Sequence, residues 1–261
     1  MSDITALVLT FNEEPNIGRV LSRLHWAKEV VVLDSCSTDQ TCAIAERYPN
    51  VRLVRHAFTT LAAQWNYGLE QTGISTEWVL ALDADYILSN ELIEELKAFD
   101  PPPDVAGFRA QFDYCIDGRK LRSGVYPPVT VLFRRRHTHV EQDGHCQRAR
   151  VAGAVKDLTG RIDHDDRKPL SRWLVSQTSY MKLEAEKLAA AAPETLALVD
   201  RLRQTIVLAP PAVLLYCLVI RGGLLDGWPG IFYAWQRATA ELILSLMLVE
   251  RRLRGTRQPS E

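Results

Sequence analysis

An apolar run, "WVLALDADYI" (residues 78–87), ends in two aspartates one residue apart, Asp83 and Asp85. Paired carboxylates at a strand end suit a hard cation, Mg²⁺ or Mn²⁺, which is usually held by one or two carboxylates plus substrate phosphates. Such an ion acts as a Lewis acid and neutralises the charge of a departing diphosphate. Taken alone, the pair also reads as a solvated loop start with a helix-capping Asp. Two other apolar runs end in the same polar way. "ITALVLTF" runs into Asn12, Glu13 and Glu14, and "EVVVLD" closes on Asp34. Open α/β sheets bind ligands at the carboxyl ends of their strands, so these ends belong to one candidate site.

The same residues exclude other nucleotide chemistries. A dinucleotide site needs a glycine-rich turn after the first strand. Here the first glycine is Gly18, already inside the following helix, and Asn12, Glu13 and Glu14 stand where backbone amides would meet a pyrophosphate. No GxxxxGK[ST] occurs, which excludes a P-loop. A sugar-1-phosphate nucleotidyltransferase would want a glycine-rich, basic loop at this place.

The elements that must position these groups alternate. Strands are expected at "ITALVLTF", "EVVVLD", "VRLVR" and "EWVLALD". Helices are expected at "EPNIGRVLSRL", with Pro15 in its first turn, at "STDQTCAIAERY" with a Ser/Thr cap, at "LAAQWNYGLEQT", and at "NELIEELKAF" capped by Asn90. Continuous apolar strands alternating with helices predict a mostly parallel α/β sheet covered on both faces. After the loop "DPPPD" come strand-like pieces, "VAGFRAQFDYCI" and "VTVLFRR", with a turn in "DGRKL" and a further hairpin in "RVAGAVKDLTGRI". From Pro169 the chain reads as helical. Leu174, Met181, Ala185 and Leu188 form one stripe; Phe232, Trp235, Leu242, Leu246 and Val249 form another, with Arg237 and Glu241 spaced i,i+4 on the opposite face. The chain thus divides into two regions: residues 1–168, and a helical extension, 169–261.

Composition narrows the partners. With 261 residues, 47% of them apolar, and a net charge of −1, the chain has ample core and nothing that points to nucleic acid. Five scattered cysteines without a CxxC pair suggest neither a disulfide framework nor a zinc site and fit a reducing cytosol. The start, "MSDITALVLTFNEE", lacks a basic n-region and does not read as a signal peptide. The longest apolar run, "TIVLAPPAVLLYCLVI", is short of the about 20 residues a spanning helix wants. It carries Pro210 and Pro211 in its middle and reads as a helix broken there, buried or lying on a membrane.

The segment "TALVLTFNEEPNIGRVLSRLHWAKEVVVLDSCSTDQTCAIAERY", with "AAQWNYGL", "LDAD", "GVYPPVTVLFRR" and "RGGLLDGWPGIFYA", resembles family 2 glycosyltransferases of the GT-A fold. The similarity is to the lipopolysaccharide-core β-glucosyltransferase-like branch and covers most of the chain. It implies a GT-A, Rossmann-like domain and an inverting, metal-dependent transfer of a sugar from a nucleotide-diphosphate sugar, with a UDP-sugar the expected donor. It also implies a set of roles. Thr10, Asn12 and Glu13 would line the nucleotide pocket, Asp34 would meet base or ribose, and Asn66 would face the nucleotide. Asp85 would be the main metal ligand, Asp83 would bond ribose or metal, and His164 in "RIDHDDR" would reach diphosphate or metal. Cys36 and Gln40 stand where the family commonly has glycine, and Trp65 where a basic residue often precedes Asn66.

Inversion needs a general base beside the acceptor hydroxyl. The related branch carries an acid after the "LFRR" strand; here "RRRHTHVEQDGHCQRARV" offers Asp143, favoured beside a turn-forming glycine, and Glu141. Arg134, Arg135 and Arg136 either contact a diphosphate or anionic acceptor or form a solvated edge. Transfer to a polyprenyl phosphate would need no base, and a degenerate, membrane-associated scaffold is the non-enzymatic alternative. The C-terminal helices, rich in Trp and Tyr and flanked by Arg221, Arg251, Arg252 and Arg254, suit peripheral contact with the inner face of the cytoplasmic membrane, where a glycolipid or saccharide acceptor would be met. The same stripes equally suit packing on the domain or a homodimer.

Overall fold

The computed structural model describes residues 3–143, 146–191 and 196–255. The chain forms two compact units, one of residues 1–120 and 125–168, the other of residues 121–124 and 169–261.

The first unit is built on a nine-stranded sheet in the order β3-β2-β1-β4-β8-β6-β11-β5, with β7 added on β6. β1 (Ile4–Thr10), β2 (Glu29–Asp34), β3 (Val51–Arg55) and β4 (Trp78–Asp83) run parallel. Their apolar residues split by alternation. Ile4, Ala6 and Val8 join one core cluster with Val30, Val32, Leu80 and Leu82; Leu7 and Leu9 join another with Val31, Leu33 and Val79. Both faces of β1, β2 and β4 are therefore buried, which is why these three read as hydrophobic runs, whereas the edge strand β3 is half-buried. Between the strands lie α1 (Ile17–Leu21), α2 (Thr41–Ala45) and α3 (Leu61–Gln71). Gly68 lets α3 press onto β1, where a Cβ would come within 2.7 Å of Leu7.

The second half of the sheet is mixed. β8 (Val129–Arg134) lies antiparallel between β4 and β6 (Val105–Ile116). β6 turns at Asp117 and Gly118, both with positive φ (50° and 77°), into the short β7 (Arg119–Lys120). That is the mirror-image turn that Asp-Gly favours. β9 (Thr138–Asp143) and β10 (Cys146–Val151) form a separate two-stranded ribbon. The hairpin expected in "RVAGAVKDLTGRI" is not formed. β11 (Ala154–His164) pairs parallel with β6 and antiparallel with β5 (Tyr86–Leu88), because its apolar residues Leu158 and Ile162 are needed in the main core. Helix α4 (Asn90–Lys97) is capped by Ser89, whose Oγ accepts from Leu92 N at 3.2 Å, and not by Asn90, which is its first residue.

The register of β11 slips between Asp157 and Arg161. The amides freed there are not orphaned. The Glu95 carboxylate accepts from Thr159 N, Thr159 Oγ1 and Gly160 N at 2.9–3.1 Å. α4 thereby lies directly on the bulge, and a Cβ on Gly160 would stand 2.3 Å from Leu92 Cα.

In the second unit α5 (Leu170–Ala190), α6 (Leu198–Gln204) and α8 (Trp228–Gly255) enclose a small core around Met181, Leu188 and Leu244. The prolines do not break a helix. Pro210 and Pro211 fall in the first turn of α7 (Ala209–Leu215), which runs on through a π-helical turn, Tyr216–Ile220. Among the described residues no helix is long and apolar enough to cross a membrane. The expected Arg237–Glu241 surface pair is absent as such. Glu241 is buried and its carboxylate accepts from Arg203 Nε and Nη2 at 2.8–3.2 Å; the same guanidinium also meets Glu184 and Asp200 at 3.3 Å. The stripe Phe232, Trp235, Leu242 and Leu246 is exposed instead.

Gly160→Ala is expected to lower stability by about 3 kcal/mol, because the contact met is backbone and cannot yield as a side chain would. Thermal unfolding of the pure variant checks it; a loss below about 1 kcal/mol would mean that α4 is free to lift from β11.

Candidate active site

The register of the parallel strands lines up their carboxyl ends. Thr10 is opposite Asp34, and Leu9 opposite Asp83. Asp34 is buried, and its carboxylate accepts from Thr10 Oγ1 at 3.0 Å, from Ser37 N at 2.8 Å and from Ser37 Oγ. The loop after β1 is laced to the loop after β2. Asn12 N donates to Ser37 Oγ at 2.7 Å, Thr38 N to Asn12 Oδ1 at 2.7 Å, and Glu13 N to Thr41 Oγ1 at 2.7 Å. Two loop residues take left-handed backbone, Asn12 (φ 55°) and Cys36 (φ 64°). Asn tolerates that conformation, whereas Cys is strained by it, so the glycine common in the family at the Cys36 position has a conformational reason. Gln40, the other departure, has φ −78° and needs no glycine.

His164 reaches this end of the sheet from the far side of the chain. β5 begins one residue after Asp85 and folds back along β11, with Tyr86 opposite His164. The result is a contact of 3.2 Å between His164 Nε2 and Asp85 Oδ2, with side chains 17% and 13% exposed. Tyr86, Tyr114 and Tyr126 pack edge-on around the imidazole at centroid distances of 5.4, 4.9 and 4.8 Å. The Asp85 backbone carbonyl also accepts from Asp165 N at 3.1 Å.

Sequence reasoning missed the four residues after His164. Asp165, Asp166, Arg167 and Lys168 strap the end of β11 to the first helix. Arg19 and Arg167 both pair with Asp165, Asn16 Nδ2 donates to Asp166 at 2.9 Å, and Asn16 Oδ1 accepts from Arg167 N at 2.9 Å. Lys168 Nζ lies 2.6 Å from Glu13 Oε1 and 3.3 Å from Asp166 Oδ1. A lone Lys after a charged run gives no signal in sequence; only the β5–β11 pairing brings it here.

The electrostatics are those of acids crowded in a desolvated place. Burial pushes the Glu13 carboxyl up to about 7 against the pull of Lys168, and the charge of Asp85 adds to the rise. Burial likewise raises Asp83 to about 6, with Asp85 adding its repulsion. Asp85 itself is held below the carboxylate range. Burial would raise it, but the His164 charge and hydrogen bond, with Lys168, outweigh that. His164 is raised in turn, its burial outweighed mainly by Asp85. Lys168 is raised too, since Glu13, Asp85 and Asp166 outweigh its burial, so the ammonium stays charged.

Among the described residues no cluster of three His, Cys, Asp or Glu side chains is drawn tightly enough to hold a metal alone. Asp85 Oδ1 and His164 Nδ1 are nonetheless buried without a hydrogen-bond partner among those residues. An unpaired carboxylate oxygen beside a second carboxylate and an imidazole fits a cation that takes its remaining ligands from substrate oxygens.

The other expected residues are placed elsewhere. Asn66 spends its amide on β9, donating to Val140 O at 2.8 Å and accepting from Val140 N at 2.9 Å, so it docks the ribbon. On that ribbon Asp143 pairs with Arg148 and Glu141 with Arg150, each at 2.8 Å. Gly144 and His145 lie outside the described residues. Arg134 is committed to Glu77, to Val105 O and to the face of Trp78. Trp65 is buried, lines a small cavity with Asp83, Tyr86 and Gln147, and its Nε1 has no partner among the described residues.

Residues 5–152 match the family model of Glycosyl transferase family 2. The chain is 31% identical over 207 residues to the lipopolysaccharide core biosynthesis glycosyltransferase LpsC of Rhizobium meliloti, covering 70% of this chain and 71% of that protein. It is 33% identical over 98 residues to an uncharacterized glycosyltransferase of Rickettsia felis, covering 37% of this chain and 34% of that one. In fold it is similar to the mannosyltransferase PcManGT of Pyrobaculum calidifontis, solved with GDP-Man and Mn²⁺. There the TM-score is 0.54 at 15% identity, over 96% of this chain and 88% of that one.

These groups give two expected outcomes. Protons compete with a cation at Asp83, raised to about 6, and at His164, raised above the ordinary imidazole value, so Mn²⁺ affinity should climb as pH rises through these groups, by about tenfold per unit for each proton displaced. Calorimetry at several pH values reads this, and a flat profile would remove both groups from any metal shell. Cys36→Gly should raise stability by about 1 kcal/mol by relieving the left-handed strain; an unchanged melting temperature would count against it.

Proposed function

The chain belongs to glycosyl transferase family 2, and from that premise we propose that it moves a sugar, with inversion, from a nucleotide-diphosphate sugar to a hydroxyl of a cell-envelope glycolipid or saccharide. The observation that carries this reading is the buried Asp85–His164 pair at the carboxyl end of the sheet, with one carboxylate oxygen left unpaired. Acids held this way are a reservoir of negative charge that a divalent cation and a diphosphate complete. The name of the Rhizobium relative supports an acceptor in the lipopolysaccharide core. The GDP-Man and Mn²⁺ of the Pyrobaculum structure support the donor class and the metal. A UDP-sugar is the donor we favour. The reading includes a cytoplasmic location with peripheral contact to the inner face of the membrane.

Asp85, His164 and Asp83 would hold Mg²⁺ or Mn²⁺, which supplies Lewis-acid neutralisation of the departing diphosphate. The rest falls to the protein's own side chains. Thr10 and Ser37 fix the Asp34 carboxylate, whose remaining lone pairs accept from ribose or base. Asn12 shapes the loop over that pocket, and Glu13 holds the Lys168 ammonium at its edge. Asn66 acts at one remove, by seating β9 and with it the two acids of the ribbon. Asp143, or failing it Glu141, takes the acceptor proton. The acceptor oxygen then bonds to the anomeric carbon from the face opposite the phosphate, the bond from that carbon to the phosphate oxygen breaks, and the nucleoside diphosphate leaves with the electron pair.

One observation favours a second reading. Both acids are paired to arginines, Arg148 and Arg150, so neither is an unencumbered base. A polyprenyl phosphate acceptor would attack through its own phosphate oxygen and need no base.

Calorimetric titration with a panel of nucleotide diphosphates and nucleotide sugars, with and without Mn²⁺, tests the site. One nucleotide should bind in a metal-dependent way, and Asp85→Ala should abolish that dependence. If nothing binds to folded protein, the reading fails. With a hydroxyl acceptor, Asp143→Asn should lower kcat by about 10²–10⁴-fold. Full activity of that variant toward a polyprenyl phosphate would select the second reading.

A further inference from the structure

The second unit carries an exposed apolar end that the chemistry above does not use. From Thr205 to Gln236 the sequence holds only two charged residues, Arg221 and Asp226. Asp226 is occupied. Its carboxylate accepts from Arg122 N, Ser123 N and Ser123 Oγ at 3.2, 2.9 and 2.8 Å, which fastens residues 121–124 to this unit. The surrounding turn is tightly built. A Cβ on Gly230 would stand 2.2 Å from Gly223 O, and a Cβ on Gly223 would stand 2.7 Å from Cys217 O. Around this rigid turn the apolar side chains point outward. Val219 and Ile220 close the π-helical turn, Leu224 and Leu225 lie in the 3₁₀ turn Gly223–Asp226, and Trp228 opens α8. Ile220, Leu225 and Trp228 are 73%, 76% and 82% exposed. Side chains this large, contiguous along the chain and turned to solvent, mark an interaction surface.

We propose that this turn, residues 219–228 with the flanking Arg122 and Arg221, inserts into the interface of an anionic phospholipid bilayer. Charge decides between a bilayer and a second copy of the chain. Arg122 and Arg221 are exposed, lie on the two segments that meet at Asp226, and pair with no acid among the described residues; Asp226 is committed to Arg122 N and Ser123, and Arg221 donates to Gly124 O at 3.0 Å. A two-fold contact would bring the same patch against itself and set arginines against arginines. Anionic headgroups would neutralise them, while the tryptophan and leucines reach the acyl boundary, the pattern of an interfacial anchor. The lack of a spanning helix among the described residues fits a surface that lies in the interface and does not cross it. This deepens the reading given above, because a lipid-borne acceptor is met at such an interface, and it rests on that reading only for its biological purpose.

Flotation of the full chain with vesicles of phosphatidylcholine, alone or with phosphatidylglycerol, tests it. The wild-type protein should float with the anionic vesicles and dissociate at high salt. Leu225→Glu and Ile220→Glu should each weaken flotation at least tenfold, whereas Val199→Glu, an exposed apolar site on α6, should not. The double change Arg122→Gln and Arg221→Gln should lower the preference for anionic vesicles about fivefold per arginine. Circular dichroism and Mn²⁺-dependent nucleotide binding in solution should be the same in all variants. Undiminished flotation of both glutamate variants would overturn the proposal. So would failure of the wild-type chain to float, and if Leu225→Glu then converts a dimer to a monomer in sedimentation, the occupant is a second copy. Flotation without nucleotide binding would leave the membrane surface standing and sink the transferase site; nucleotide binding without flotation would do the reverse.

Discussion

The contact between Asp85 and His164 is the constraint on which the candidate site depends. Three carboxylates, Glu13, Asp83 and Asp85, crowd into one desolvated end of a sheet, an arrangement that raises two of them well above the ordinary range. It is tolerable only if cations are held there as well. Lys168 supplies such a cation and His164 an imidazole hydrogen-bonded to Asp85 and raised toward the charged form, and both arrive with the end of β11 and the residues just after it. The chain therefore had to bring β11 back beside Asp85. The three-residue β5, antiparallel to β11, does this by placing Tyr86 opposite His164.

That short strand could not hold its register alone. The strap after His164 supplies what β5 lacks. Asp165 takes both Arg19 and Arg167, Asn16 bridges Asp166 and Arg167, and Gly118 N donates to Asp165 at 3.1 Å. At the other end the Glu95 carboxylate fixes the bulge, and Gly160 allows α4 to sit on it. The position of one imidazole is thus set by α1, α4 and the β6–β7 turn together. The site and the fold are stabilised by the same hydrogen bonds, and neither can shift without the other.

Much of this was legible in the residues. β1, β2 and β4 are apolar runs ending in polar residues, and a strand buried on both faces leaves such a trace. The turn at Asp117–Gly118 was legible because its backbone demands those two residues. What could not be read depended on pairing across long separations. "RVAGAVKDLTGRI" has the alternation of a strand pair, but alternation does not name a partner, and β11 joined β6 and β5 instead. Asn66 looked like a ligand group; its amide serves a backbone edge that lies 74 residues away in sequence. Lys168 carried no local signal at all.

Helix α8 shows the limit of periodicity most plainly. Its large apolar residues fall on one stripe, which predicts the buried face. The buried residues are instead Tyr233, Ala234, Ala238, Ala240, Glu241, Leu244 and Ser245, most of them small. Small side chains let α8 approach its neighbours, and Glu241 meets Arg203 there, which in turn holds Glu184 of α5 and Asp200 of α6. Rotating α8 to bury Phe232, Trp235 and Leu242 would pull Glu241 out of this network and deprive the largely buried Arg203 of its shortest ion pair, 2.8 Å. Removing one member of a buried ion cluster costs more than exposing a few apolar groups, which lose about 25 cal/mol per Å². The ion network thus sets the rotation of the helix, and the exposed stripe, continuous with Trp228 at its start, is a consequence of the buried charges.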